Sequence, residues 1–123
     1  MTIYSVVMPP TTIRNESFQK MDLADKIRCE RSFDIYINGV LYFHDPLFPI
    51  LEFVQYCQKW IQTDQKSFVY ESVEYDEAPL LSFIQEEKGY RIQSIWEEFE
   101  CTALFSSGEL HAFINGVISQ VLI

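Results

Sequence analysis

A chain of 123 residues that is 48% hydrophobic and 15% aromatic can bury one core, which suits a single domain over residues 1–123 and excludes a disordered acidic tail. No apolar run approaches the roughly 20 residues that span a bilayer, and Met1 to Pro10 show neither a basic region nor an apolar stretch long enough for a signal peptide, so a cytoplasmic location is expected. A net charge of −9 argues against nucleic acid and anionic membranes as partners and favours a cationic one.

In chain order, the first thirty residues carry the least regular pattern. Thr2 to Met8 reads as a strand that Pro9-Pro10 ends, and Asp22 is placed to cap a short helical turn over Leu23 to Ile27. "FDIYINGVLYFHD", Phe33 to Asp45, is a hairpin, because Asn38-Gly39 tolerates the positive φ of a two-residue turn. That turn sets Ile37 against Val40, Ile35 against Tyr42 and Phe33 against His44. Tyr36, Leu41 and Phe43 on the other face make it apolar too, so the hairpin is expected mid-sheet or covered on both sides.

Asp45-Pro46 is expected to break the strand. Apolar residues at 50, 53, 54, 57 and 61 then repeat with a helical period, with Pro49 suited to the first turn. Three strands follow at about 67–75, 80–87 and 90–96, turned by Asp76 to Pro79 and by Lys88-Gly89. The second turn sets Glu86 opposite Arg91 and Leu81 opposite Trp96. "EFECTALFS" reads as a further strand with Phe99, Cys101, Ala103 and Phe105 on one face. Ser106 and Glu109 form a capping box for a last helix, whose stripe is Leu110, Phe113, Ile114, Val117, Ile118 and Val121. The expected class is α+β: a meandering antiparallel sheet of about five to seven strands with two main helices packed on it. Leu122 should join the core, and Ile123, bearing the terminal carboxylate, should lie at an edge. A monomer is expected over a homodimer.

The charge is uneven along the chain. Residues 71–109 hold ten acids against two bases, which accounts for eight of the nine excess negative charges. The expected hairpin register brings Glu74, Tyr75, Asp76 and Glu77 to the same end of the sheet as Trp96, Glu97 and Glu98. Aromatics ringed by charges are the composition of interface hot spots, so these seven residues form the candidate partner-binding rim. The alternative is that Trp96 packs inward and the acids only solvate turns.

Little else in the sequence points to chemistry. Cys29, Cys57 and Cys101 are odd in number and widely spaced, which suits reduced thiols rather than a disulfide framework or a zinc pair. The two histidines, His44 and His111, stand in no HxH or HExxH arrangement, and the four glycines form no phosphate loop. Asp76 followed by Glu86 and Lys88 resembles the acid-then-ExK set that holds a divalent ion in some nucleases. Lys88 falls in the expected turn, however, with Asp76 at the far end of that hairpin, and a basic surface for nucleic acid is lacking. No catalytic residue, metal site or cofactor is expected.

"FDIYINGVLYFHDPLFPILEFVQYCQKW" followed by "LLSFIQEEKGYRIQSIWEEFE" resembles small acidic immunity proteins encoded beside polymorphic toxins in Bacillus-type bacteria. The likeness covers about residues 30–105 and rests on the order of hairpin, aromatic helix ending in Trp60, and hairpin containing Trp96. It implies a non-enzymatic inhibitor of a toxin domain, and nuclease toxins are usually basic. Partner-facing residues vary widely in such families, so the resemblance assigns none here. The alternatives are a small regulatory or assembly domain and, more remotely, a metal-dependent hydrolase.

Overall fold

The computed structural model describes residues 2–10, 12–63, 66–72 and 79–123. Its elements in order are β1 (Ile3–Met8), α1 (Asn15–Lys20), α2 (Leu23–Arg28), β2 (Glu30–Ile37), β3 (Val40–Pro49), α3 (Ile50–Gln62), β4 (Phe68–Tyr70), β5 (Leu81–Glu86), β6 (Gly89–Gln93) and α4 (Ser107–Val121). The strands form two three-stranded antiparallel sheets, β1-β2-β3 and β4-β5-β6. The α+β class therefore holds, but the single meander of five to seven strands is replaced by two small sheets, and α1 and α2 join the two longer helices.

The first sheet grows from the Asn38-Gly39 turn, where both residues adopt positive φ, 51° and 80°. Ile37 pairs with Val40 as expected, and Tyr36 with Leu41. Beyond that point Tyr42 is an extra residue on β3, so Ile35 pairs with Phe43, Asp34 with His44 and Phe33 with Asp45. The bulge corrects the expected pairings of Ile35 with Tyr42 and Phe33 with His44. It turns both Tyr42 and Phe43 into the interior, where each is fully buried. A second irregularity takes up Pro46 and Leu47, so β3 runs through Asp45-Pro46 instead of breaking there. Asp45 Oδ1 accepts from the Leu47 amide at 3.0 Å and holds this kink. Pro46 fits because β3 is an edge strand and the position is bulged.

In the second sheet the β5–β6 turn is Glu87-Lys88, since Glu86 pairs with Gly89 and Ile84 with Arg91. The expected register is therefore wrong by two residues. An even slip leaves every side chain on its expected face. Arg91 still meets Glu86, now diagonally, with Nε 2.9 Å from Oε2. Gly89 has a different task from the one its place near the turn suggests. Its φ is +154°, and a Cβ there would stand 2.6 Å from the Phe105 carbonyl oxygen. That approach lets Tyr90 and Phe105 exchange two backbone hydrogen bonds of 2.8 Å. Because β6 ends at Gln93, Trp96 lies beyond the strand and does not oppose Leu81. Residues 99–104 form no strand either. This segment crosses between sheets, from a bond to β3 at Glu98 to the bridge with β6 at Phe105, and no strand runs beside its whole length. Cys101 and Phe105 are buried from it, while Ala103 is exposed.

One aromatic core joins the sheets. Phe53 of α3 lies 5.4 and 5.3 Å (ring centroids) from Phe33 and Phe48 of the first sheet, and 5.6 and 5.1 Å from Phe68 and Tyr70 of the second. Such tilted and edge-on contacts add to the burial of the rings themselves. The α4 stripe is buried at Leu110, Phe113, Ile114, Val117 and Val121, with Ile118 half-buried. On the same helix Gln120 closes the outer edge of β1, where its amide donates to the Ser5 carbonyl at 3.0 Å and accepts from the Val7 amide at 3.1 Å. At the terminus Leu122 is buried and Ile123 is 71% exposed, as expected. Backbone bonds from Ile13 to Val121, from Ile123 to Ile13 and from Asn15 to Ile123 fasten this end within the chain.

Candidate functional site

The second sheet leads into the acidic end of the molecule. Ser94 follows β6 and organises a tight turn. Its Oγ donates to the Leu80 carbonyl at 2.6 Å and accepts from the Trp96 amide at 3.0 Å. The Ser94 amide donates to Glu97 Oε1 at 3.3 Å, and the same oxygen accepts from the Tyr42 hydroxyl at 2.8 Å. The next amide, Glu98, donates to the Tyr42 carbonyl at 2.8 Å. The turn is thus tied to β3 by side chain and backbone together.

The same network reaches the segment before β5. Leu80, which accepts from Ser94, donates its own amide to the Tyr70 carbonyl at 2.9 Å. Tyr70 in turn donates its hydroxyl to Glu52 Oε1 at 2.7 Å, deep beneath α3. Tyr56 of α3 donates to the Glu71 carbonyl at 3.0 Å. The two ends of the 71–79 segment and the 94–98 turn therefore stand on one hydrogen-bonded base, with Pro79 beside Ser94 and Ile95 on the surface. Burial, and then the bond to Glu97, holds the Tyr42 phenol far above its ordinary range. Burial and Glu52 do the same for Tyr70. Both stay neutral donors, the state in which each satisfies its carboxylate partner.

The expected rim is only partly described by this geometry. Glu74, Tyr75, Asp76 and Glu77 lie outside the described residues. Trp96 is half-buried and packs inward, its ring 6.3 Å from that of Phe43. Glu97 is half-buried and engaged by Tyr42 and Ser94. Glu98 is exposed, as is Glu100, and Ile95 is 45% exposed beside Pro79. The described surface here is thus Ile95 and Glu98 on an anchored turn, with Glu100 two residues beyond it. Sequence reasoning missed Ile95 as a surface residue and Tyr42, Ser94 and Glu52 as the anchors. Ser94 three residues before Glu97 is the capping-box spacing, a signal available in the sequence.

The other chemistry-bearing residues stay apart. His44 Nδ1 pairs with Asp34 across the exposed face of the first sheet. His111 sits on α4 with its ring 4.9 Å from Trp60. Lys88 lies in the β5–β6 turn. Among the described residues no group of three or more His, Cys, Asp or Glu side chains is placed to hold a metal ion. Nor is any helix among them long and apolar enough to cross a membrane.

One family model matches, a domain of unknown function (DUF7878), over residues 7–121. No curated protein and no solved structure matches the chain. The match spans nearly the whole length, and the chain belongs to this family.

Proposed function

We propose that this member of the DUF7878 family is a non-enzymatic immunity protein that acts in the cytoplasm as a monomer, binding and neutralising a basic toxin domain, most simply a nuclease. The observation that carries the reading is the concentration of eight of nine excess negative charges in residues 71–109, together with the anchored turn that presents Glu98, with Glu100 two residues beyond it. Acids carried on an anchored backbone spare a cationic partner the cost of ordering the turn, and their field speeds its approach. Glu74, Asp76 and Glu77 belong to the same acidic stretch and are proposed to share that contact, with Tyr75 supplying an aromatic anchor. Trp96 and Glu97 support the turn from beneath.

The test begins with the neighbouring gene, where the reading expects a toxin domain. Co-expression should restore growth of cells that the toxin domain alone kills. Association measured by stopped flow should slow as salt rises, because screening shortens the reach of the acidic field. The double change Glu77→Lys and Glu98→Lys should lower the on-rate at low salt by about ten-fold and leave thermal stability nearly unchanged. Absence of growth rescue, or an on-rate indifferent to both salt and charge reversal, would overturn the reading.

A further inference from the structure

A groove opens beside the acidic turn, between the tip of the β2–β3 hairpin and the crossing segment 99–103. Val40 forms one wall and is 57% exposed; Ala103 and Thr102 form the other, with Phe99 and Cys101 at the floor. Its volume is about 410 Å³, within the roughly 300–1,000 Å³ of sites that receive a ligand group. The floor is firm, because Phe99 packs edge-on against Tyr42 at 5.4 Å and Cys101 is buried. Glu100 lines the rim, and two residues before it the backbone of the exposed Glu98 is held next to β3 by its bond to the Tyr42 carbonyl.

Charge identifies the occupant. One wall belongs to residues 32–58 and the other to residues 92–123, and neither stretch contains a single lysine or arginine. An apolar slot with an acid rim and no basic residue in either wall is complementary to an apolar side chain flanked by positive charge. An acidic or neutral polar segment would leave Glu98 and Glu100 facing like charge or nothing.

We infer that this groove seats a cationic segment of the partner protein, with one large apolar side chain between Val40 and Ala103 and flanking lysines or arginines against Glu98 and Glu100. The inference rests on the proposed basic partner and adds where and how it is gripped. An apolar anchor inside a charged rim is the arrangement that concentrates binding energy at interfaces.

The probe is a set of three capped pentapeptide amides titrated into the full chain: Lys-Lys-Phe-Lys-Lys, Lys-Lys-Ser-Lys-Lys and Glu-Glu-Phe-Glu-Glu. Amide chemical shifts are followed by NMR. The first peptide should move Asn38, Val40, Cys101 and Ala103, the second should bind about five-fold more weakly, and the third should move none of them. Glu100→Lys and, separately, Ala103→Trp should each weaken the first peptide about five-fold; both sites are exposed, so the fold should survive. Equal responses to the first two peptides would overturn the groove. So would shifts clustered at residues 94–98, although the basic-partner reading would then stand. Silence toward both basic peptides would remove the groove and weaken the basic-partner reading with it. Growth rescue that persisted alongside that silence would locate the failure in the groove alone.

Discussion

Two Ser-x-x-Glu boxes stand twelve residues apart, Ser94 to Glu97 and Ser106 to Glu109, and only the second opens a helix. Their local bonds are similar. Glu97 Oε1 accepts from the Ser94 amide at 3.3 Å, and Glu109 Oε1 accepts from the Ser106 amide at 2.9 Å. In the helical box the serine hydroxyl closes the loop by accepting from the Glu109 amide, whereas Ser94 Oγ accepts one residue earlier, from Trp96, and also donates to Leu80. The residues beyond each box decide the outcome. After Glu109 the apolar residues recur with a helical period and find a core to bury against. After Glu97 the Glu98 amide is taken by the Tyr42 carbonyl, and the chain then alternates apolar and polar residues as far as Ala103. Local capping chemistry thus permits a helix, and tertiary partners decide whether one grows. In the first box the leftover rigidity serves a different end, a fixed acidic turn.

The largest expected effect comes from breaking the segment that connects the boxes. Phe105, immediately before the helical box, is held by its paired bonds to Tyr90, and only a glycine at 89 leaves room for its carbonyl. Gly89→Ala places a methyl group 2.6 Å from that backbone oxygen at a φ of +154°. The substitution should cost about 2–4 kcal/mol in denaturant unfolding. A loss near zero would mean that the bridge shifts freely and that the two boxes are not rigidly linked.

A smaller effect should separate the boxes themselves. Ser106→Ala removes an N-cap and should cost about 1 kcal/mol. Ser94→Ala removes an acceptor for Trp96 and also leaves the part-buried Leu80 carbonyl without its 2.6 Å donor, so it should cost about 1–3 kcal/mol. The Tyr42→Phe change should be coupled to Glu97→Gln and additive with Glu109→Gln, because Tyr42 touches only the first box. Equal costs for the two serines, or coupling of Tyr42 to Glu109, would erase the distinction.

This contrast also explains which parts of the fold the sequence made legible. Signals that act within a few residues transferred directly: the Asn38-Gly39 turn, the Asp22 cap whose carboxylate accepts from Asp25, the period of α3 and the Ser106 box. Features set by distant partners did not. The bulge at Tyr42 answers to Glu97 and Glu98, fifty-five residues or more along the chain. Gly89 reads as a turn residue until Phe105 is seen against it. Residues 99–103 alternate like a strand, but the segment is bonded to different sheets at its two ends, Glu98 and Phe105. For the candidate site, the sequence indicated that the turn at 94–98 is acidic, but not that Trp96 and Glu97 are its foundation. A half-buried glutamate and an exposed one look alike until a buried tyrosine is placed beside one of them.

The smallest expected effect is the pH dependence of the helical box. The Glu109 carboxyl is held below its ordinary value of 4.5, first by the Ser106 amide that it accepts. A folded-state value lower than the unfolded one means that the unfolded chain takes up a proton first as the solution is acidified. The stabilisation from Glu109 is therefore complete above the unfolded value and declines as pH falls through the lowered folded value. Because the group lies near the surface, water competes for the bond, and the effect should be slight. Comparing Glu109→Gln with the parent chain by thermal melting should reveal the sign. The parent should be the more stable at pH 7, and the difference should shrink steadily below pH 4.5. Repeating the scan in high salt should leave most of the gap, because its main cause is a hydrogen bond to a neighbouring amide rather than a distant charge. A gap that widened on acidification would mean that Glu109 is stabilised in its protonated form, and the box would then be held by something other than the carboxylate.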